Sequence, residues 1–215
     1  MARYHVPGVS IALIDEGKIA WAKGYGVTQA NGSDAVTPST LFQAASIAKM
    51  LTATGALRLV QEGKINLDED INKQLISWKL PVNEYTEQAP VTLRGLLSHT
   101  AGVTGHGFSG YSSGEMLPSL HQILDGEPPS NSPPIRVDAV PSRAYRYSGG
   151  GYLIVQQLME DATGRSFSDL MHKEVLDRVP MANSTFMQSL PSGRGIIAAC
   201  GHGFDGIPVK HCGNI

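Results

Sequence analysis

The chain has 215 residues, 41% of them hydrophobic and 17% charged, the make-up of a folded protein with enough length to bury a core. Its formal net charge is −2 and no like charges run together, which argues against nucleic acid or an anionic membrane surface as partner. No apolar stretch reaches the roughly 18 residues that span a bilayer, and Met1 to Gly8 carries no apolar signal segment, so the default location is the cytoplasm, or the periplasm if a signal was removed.

Val9 to Ile14 reads as a strand, Asp15-Glu16-Gly17-Lys18 as a tight turn, and Ile19 to Tyr25 as the returning strand of a hairpin. A helix is expected from Ser46 to Glu62, with Met50, Ala53, Leu57 and Val60 as its buried face and Gly63 as its stop. Asp68 to Leu75 and Thr92 to His99 read as short capped helices. Residues 104–143 are rich in Gly, Ser and Pro and predict long loops around one helix near Met116 to Leu124. Helical spacing returns at Val155, Leu158, Met159 and Ala162, closed by Gly164. Ser166 with Asp169 then opens a further helix through Leu170, Met171 and Val175. The stretch from Pro191 is weakly patterned, and the two cysteines, Cys200 and Cys212, read as ordinary thiols. Two strands do not make a stable sheet alone, so more strands are expected in the loops and tail, or in a longer protein.

Three strings carry chemistry. Serine needs a neighbouring base to become a nucleophile, and residues three apart on a helix share a face, so Ser46 and Lys49 can touch. Small apolar neighbours and no carboxylate surround Lys49, which favours its uncharged form. With 19 serines and 8 lysines, one Ser-x-x-Lys is expected roughly by chance, so the pair needs company. Arg146-Tyr147-Ser148-Gly149-Gly150-Gly151-Tyr152 supplies it: a phenol on a glycine-rich turn before a helix can share the proton transfer. In Leu96-Leu97-Ser98-His99-Thr100-Ala101-Gly102, His99 stands at a helix end, where an imidazole commonly caps carbonyls.

Together these strings resemble the superfamily of class C β-lactamases, D-Ala-D-Ala carboxypeptidases and family VIII esterases, over nearly the whole chain. Val6 to Ala12 is similar to its first strand, Phe42 to Lys49 to its nucleophile segment, and Leu96 to Gly102 to its Leu-Leu-x-His-Thr loop. Tyr147-Ser148-Gly149 is similar to its Tyr-x-Asn element, and Pro180 to Phe186 to a stretch beyond the next helix pair. The resemblance implies an α/β (α+β) fold, a helical subdomain beside an antiparallel sheet with the active site between them. As one domain it would cover 1–215, with the helical and loop subdomain near 65–145. Ser46 would be acylated, Lys49 would be its base and Tyr147 would pass the proton to the leaving group. The Ser46 N–H would form half of the oxyanion hole, and Ser148, Gly149 and Gln43 would line the substrate. No metal and no cofactor is implied; the substrate is a small ester, β-lactam or related amide. Gly149, standing where relatives have Asn, tilts the expectation toward esters.

The family's third motif, Lys-Thr-Gly or His-x-Gly, should lie far beyond the 68 residues that follow Tyr147. His211-Cys212-Gly213 fits the pattern but comes early, so the C-terminal sheet strands are expected to be missing. The hairpin would then drive a homodimer or pair with a missing C-terminal segment. Among rivals, Gly105 to Gly110 matches Gly-x-Gly-x-x-Gly but lacks the strand before and helix after that a dinucleotide site needs. The scattered histidines offer no zinc ligand pair. The serious rival is a penicillin-binding or inert fragment that does not turn over.

Overall fold

The hairpin is made by its turn. Glu16 and Gly17 both have positive φ, 46° and 73°, the two-residue geometry whose twist matches the strands it joins. Strand β1 (Gly8–Asp15) pairs antiparallel with β2 (Lys18–Gly26), from Gly8 opposite Gly26 to Asp15 opposite Lys18. The register shifts between Leu13, opposite Trp21, and Ile14, opposite Ile19, so β2 carries one extra residue as a bulge. The structure, a computed structural model, describes residues 1–111, 114–179, 181–188, 190 and 197–209; the early His-x-Gly at 211–213 lies outside the described residues.

The chain divides into two compact units: Met1–Ala45 with Ser112–Gly114 and Ala182–Ile215, and Ser46–Tyr111 with Glu115–Met181. The first holds the hairpin, none of whose side chains is buried. Its other pairings among the described residues are isolated bridges, Val27 with Ala35, Leu41 with Ala198 and His202 with Pro208. Cys200 is disulfide-bonded, which corrects its reading as an ordinary thiol.

The second unit is helical. A 3-10 turn (Ala45–Ile47) runs into α1 (Ala48–Gln61), followed by α2 (Ile71–Gln74), α3 (Leu93–Leu97), α4 (Leu120–Asp125), α5 (Gly149–Thr163), α6 (Phe167–Glu174) and a 3-10 turn at Leu176–Arg178. None of these helices is long and apolar enough to cross a membrane. Side-chain caps start five of them: Asp70, Thr92, Ser119, Ser148 and Ser166 each accept a first-turn N–H, satisfying donors the helix cannot. Ser119 and Gln122 form a full capping box, and Gly126 ends α4 in the left-handed region. This helix is shorter than the expected stretch from Met116, and Met116 and Leu117 stay exposed.

The buried face of α1 is Thr52, Gly55, Ala56 and Leu59, not the expected Met50, Ala53, Leu57 and Val60; Met50 and Leu57 are exposed. Gly55 explains the offset. A Cβ there would stand 2.9 Å from Met171 Sδ and 3.1 Å from Met159 Cε, so the two methionines, from α6 and α5, pack onto bare backbone. The core around them includes Leu59, Ile71, Leu93, Leu96, Ile154, Leu158 and Leu170, all essentially inaccessible. Glu174, on the last turn of α6, is buried and faces Arg58 at 3.2 Å, with Arg165 and Arg178 each at 3.7 Å. One carboxylate thereby fastens α1 to the end of α6.

Candidate active site

Ser46 sits on the 3-10 turn before α1 rather than in its first α-turn, and Lys49 is the second residue of α1. With about three residues per turn a 3-10 helix stacks positions i and i+3, and the lysine lies over the serine. Lys49 Nζ donates to Ser46 Oγ at 3.2 Å. Ala45, just before the serine, has φ of 45°, a region costly for any residue with a Cβ. The N-terminus of α1 has no side-chain cap, so its positive end is left without the partner that most other helices here possess.

Tyr147 comes from the segment entering α5, and its hydroxyl donates to the same Oγ at 2.8 Å. Ser46 Oγ therefore receives two donors, and Lys49, Ser46 and Tyr147 belong to one helical unit. Lys49 Nζ also stands 5.3 Å from the Tyr147 ring centre and 5.4 Å from that of Tyr152, two π faces that attract a cation. The bond to Ser46 first, then the hydrogen bond from Lys49, and lastly the positive charge of Lys49, hold the Tyr147 phenol below its ordinary pKa against the opposing pull of burial. Tyr152 behaves oppositely: burial, then the neighbouring Tyr147, raises its pKa, and its hydroxyl donates to the Leu97 carbonyl. One phenol is placed to move a proton and the other to stay in place.

The other candidates fare differently. Ser148 is buried; its Oγ donates to the Thr104 carbonyl at 2.6 Å and accepts the Gly151 N–H at 2.9 Å. Its hydroxyl is thus consumed as the cap of α5, not offered to a substrate. The Gly149–Gly151 run is not a turn before the helix but its first turn, fully buried. Gly149 has no side chain to present, and a Cβ there would meet Phe108 Cε2 at 3.1 Å. Gln43 belongs to the other unit, where it is exposed.

His99 is the residue sequence reasoning underrated. It does not cap carbonyls: its Nδ1 accepts the Ser148 N–H at 3.2 Å. The ring packs on three tyrosines, with centroids 4.5 Å from Tyr147, 5.3 Å from Tyr152 and 5.9 Å from Tyr145. Burial, and then the charge of Lys49, push its pKa down. Three tyrosines within eight residues of one another, at 145, 147 and 152, were the available signal. His106 was missed too. It is hydrogen-bonded through Nδ1 to the Tyr147 carbonyl, and its Nε2 accepts from Arg146 Nε at 3.4 Å. The Gly-x-Gly-x-x-Gly string around it has neither strand before nor helix after it.

A family model described as Beta-lactamase matches residues 1–201. The chain is 29% identical over 234 residues to an unguisins hydrolase of Aspergillus campestris, an alignment covering 97% of this chain and 40% of that protein. Among solved structures, it is similar to the β-lactamase/D-alanine carboxypeptidase of Yersinia pestis, with a TM-score of 0.73 and 20% identity over 99% of this chain and 57% of that one. A D-amino acid amidase of Ochrobactrum anthropi is 28% identical with a TM-score of 0.66, covering 84% and 47%. The chain spans 36% to 40% of the length of the curated relatives it matches.

Proposed function

The chain belongs to the beta-lactamase family, and from that premise we propose that it is a serine hydrolase working through an acyl-enzyme on Ser46. The observation that carries this reading is the convergence of Lys49 Nζ and the Tyr147 hydroxyl on Ser46 Oγ, at 3.2 and 2.8 Å. Both lie within reach for proton transfer. In its uncharged form Lys49 takes the Ser46 proton as Oγ attacks the carbonyl carbon of the substrate. The oxyanion so formed meets the Ser46 N–H at the uncapped N-terminus of α1. Tyr147, whose phenol gives up its proton more readily than an ordinary tyrosine, protonates the leaving group and is recharged from Lys49. Water then adds to the acyl carbon, its proton returns to Ser46 Oγ, and the acid is released.

The substrate class is a carboxylic ester or a small amide. Gly149 carries no amide to hold an acylamino group, and the Phe108 ring beside it takes the space a side chain would need. That combination favours short esters over cephalosporins.

The test is covalent labelling with a fluorescent fluorophosphonate and a fluorescent penicillin, alongside hydrolysis of p-nitrophenyl esters and nitrocefin. Labelling lost in Ser46→Ala, with ester turnover above nitrocefin turnover, is the expected result. Lys49→Ala is expected to cost nearly as much as Ser46→Ala, since nucleophile and base act as one unit; full activity in it sinks the mechanism. Labelling without turnover identifies a penicillin-binding protein instead, and nitrocefin turnover above ester turnover refutes the substrate class.

A further inference from the structure

Two histidines grip opposite edges of a single peptide bond. In a trans peptide the carbonyl and the N–H point away from each other. The carbonyl of Tyr147 is bonded by His106 Nδ1, and the N–H of Ser148, in the same peptide plane, is bonded by His99 Nδ1. A carbonyl only accepts, so His106 carries its proton on Nδ1. Its Nε2 is then free to accept, and it faces Arg146 Nε, a group that only donates. Arg146 is in turn fixed by Asp138 at 2.6 Å. At His99 the roles invert: a backbone N–H only donates, so Nδ1 is bare and the proton rides on Nε2.

We propose that His99 and His106 are positioning residues that set the Tyr147 phenol on Ser46 Oγ by holding the Tyr147–Ser148 peptide in two opposite neutral tautomers. This inference rests on the serine-hydrolase reading for its catalytic consequence, though not for its geometry. Fixing the peptide plane fixes the Tyr147 Cα, and the His99 ring packed 4.5 Å from the Tyr147 ring fixes the direction of the side chain. Protonating His99 places an N–H against the Ser148 N–H, which breaks the grip. The ionisable groups facing His99 are Lys49 from α1, Tyr152 from α5, and Tyr145 and Tyr147 from the segment entering α5. Lys49, when charged, opposes that protonation. The tyrosine is therefore well placed only while His99 is neutral, and activity is expected to fall as pH drops through a His99 pKa below the ordinary value of about 6.5.

Long-range proton–nitrogen spectra of histidine-labelled protein read both tautomers directly, without reference to catalysis. The expected result at neutral pH is Nε2–H at His99 and Nδ1–H at His106. A His99 imidazolium, or Nδ1–H at His99, overturns the proposal. Two variants test the consequence. His99 has φ of 59°, which Asn tolerates better than most residues; its Oδ1 accepts where Nδ1 did and does not titrate. His99→Asn is expected to keep the plateau rate of ester hydrolysis within about threefold and to move the acid limb to lower pH. His99→Ala, with no acceptor, is expected to lose roughly ten- to a hundredfold in kcat with little change in KM, the scale of a misplaced catalytic group. An unchanged acid limb in His99→Asn, or wild-type rates in His99→Ala, refutes the positioning role. Should neither variant fold, the tautomers of the unaltered protein decide. If Ser46 takes no label, the hydrolase reading fails while the spectra still judge the grip.

Discussion

The hairpin and the helical unit are held by different physics. No side chain of β1 or β2 is buried, and Ile11, Leu13, Ile14, Ile19 and Trp21 all face solvent; the hairpin owes its form to a turn with two positive φ angles and to its ladder. Helices α1, α5 and α6 do the reverse, with Leu59, Ile154, Leu158 and Leu170 fully enclosed. The candidate catalytic side chains Ser46, Lys49 and Tyr147 all belong to the helical unit. A site that needs three groups fixed to a fraction of an ångström is built where packing fixes them.

The contrast can be broken first at the site. Tyr147→Phe removes one of two donors to Ser46 Oγ and is expected to cost on the order of 10²–10⁴-fold in ester hydrolysis while leaving urea denaturation unchanged. A parallel loss of stability would mean that the tyrosine is chiefly a packing element. Next comes the core: Leu158→Ala is expected to destabilise by about 2–5 kcal/mol, the range for a fully buried leucine, measured by urea titration. Glu174→Ala removes the carboxylate that faces three arginines, of which Arg58 keeps its pairing with Glu62. Because those arginines reach solvent, the loss should be about 2–3 kcal/mol, under the figure for a wholly buried pair. Smallest of all, Ile14→Ser in the hairpin should shift stability by less than about 0.5 kcal/mol. Its exposed apolar side chains are expected to show instead in sedimentation, as self-association that Ile19→Lys with Trp21→Lys reduces. A loss at Ile14 as large as that at Leu158 would erase the contrast between the two regions.

What was legible in the residues follows the same division. The hairpin could be read because its determinants are local, two apolar runs on either side of a tight turn. So could the caps Thr92 and Ser166, and the pairing of Ser46 with Lys49, which depends only on helical spacing. The buried face of α1 could not, because hydrophobicity marks Met50 and Leu57, whereas the contact is made through Thr52 and Gly55, which score as neither apolar nor large. Ser148 misled for a related reason: a serine beside a candidate catalytic tyrosine looks like a ligand, and only the bonds to Thr104 and Gly151 reveal a cap. His99 and His106 were obscure because their partners are one backbone peptide, which leaves no mark in a list of side chains.

The close approach of the 104–108 loop to the start of α5 bears on how this protein can drift in sequence. A Cβ at Gly150 would stand 2.6 Å from the Thr104 carbonyl oxygen, and one at Gly105 2.7 Å from Ile135 Cδ1. The Gly150 N–H is also bonded to the Gly105 carbonyl. No side chain can enter at 150 unless that loop retreats, and the loop carries His106. Insertions and deletions in this stretch, ordinarily the most forgiving of changes, are here expected to reach Ser46 through a backbone it never touches. If the serine-hydrolase proposal holds, variation near Gly105 is expected to change the hydrolysis rate before it changes the fold.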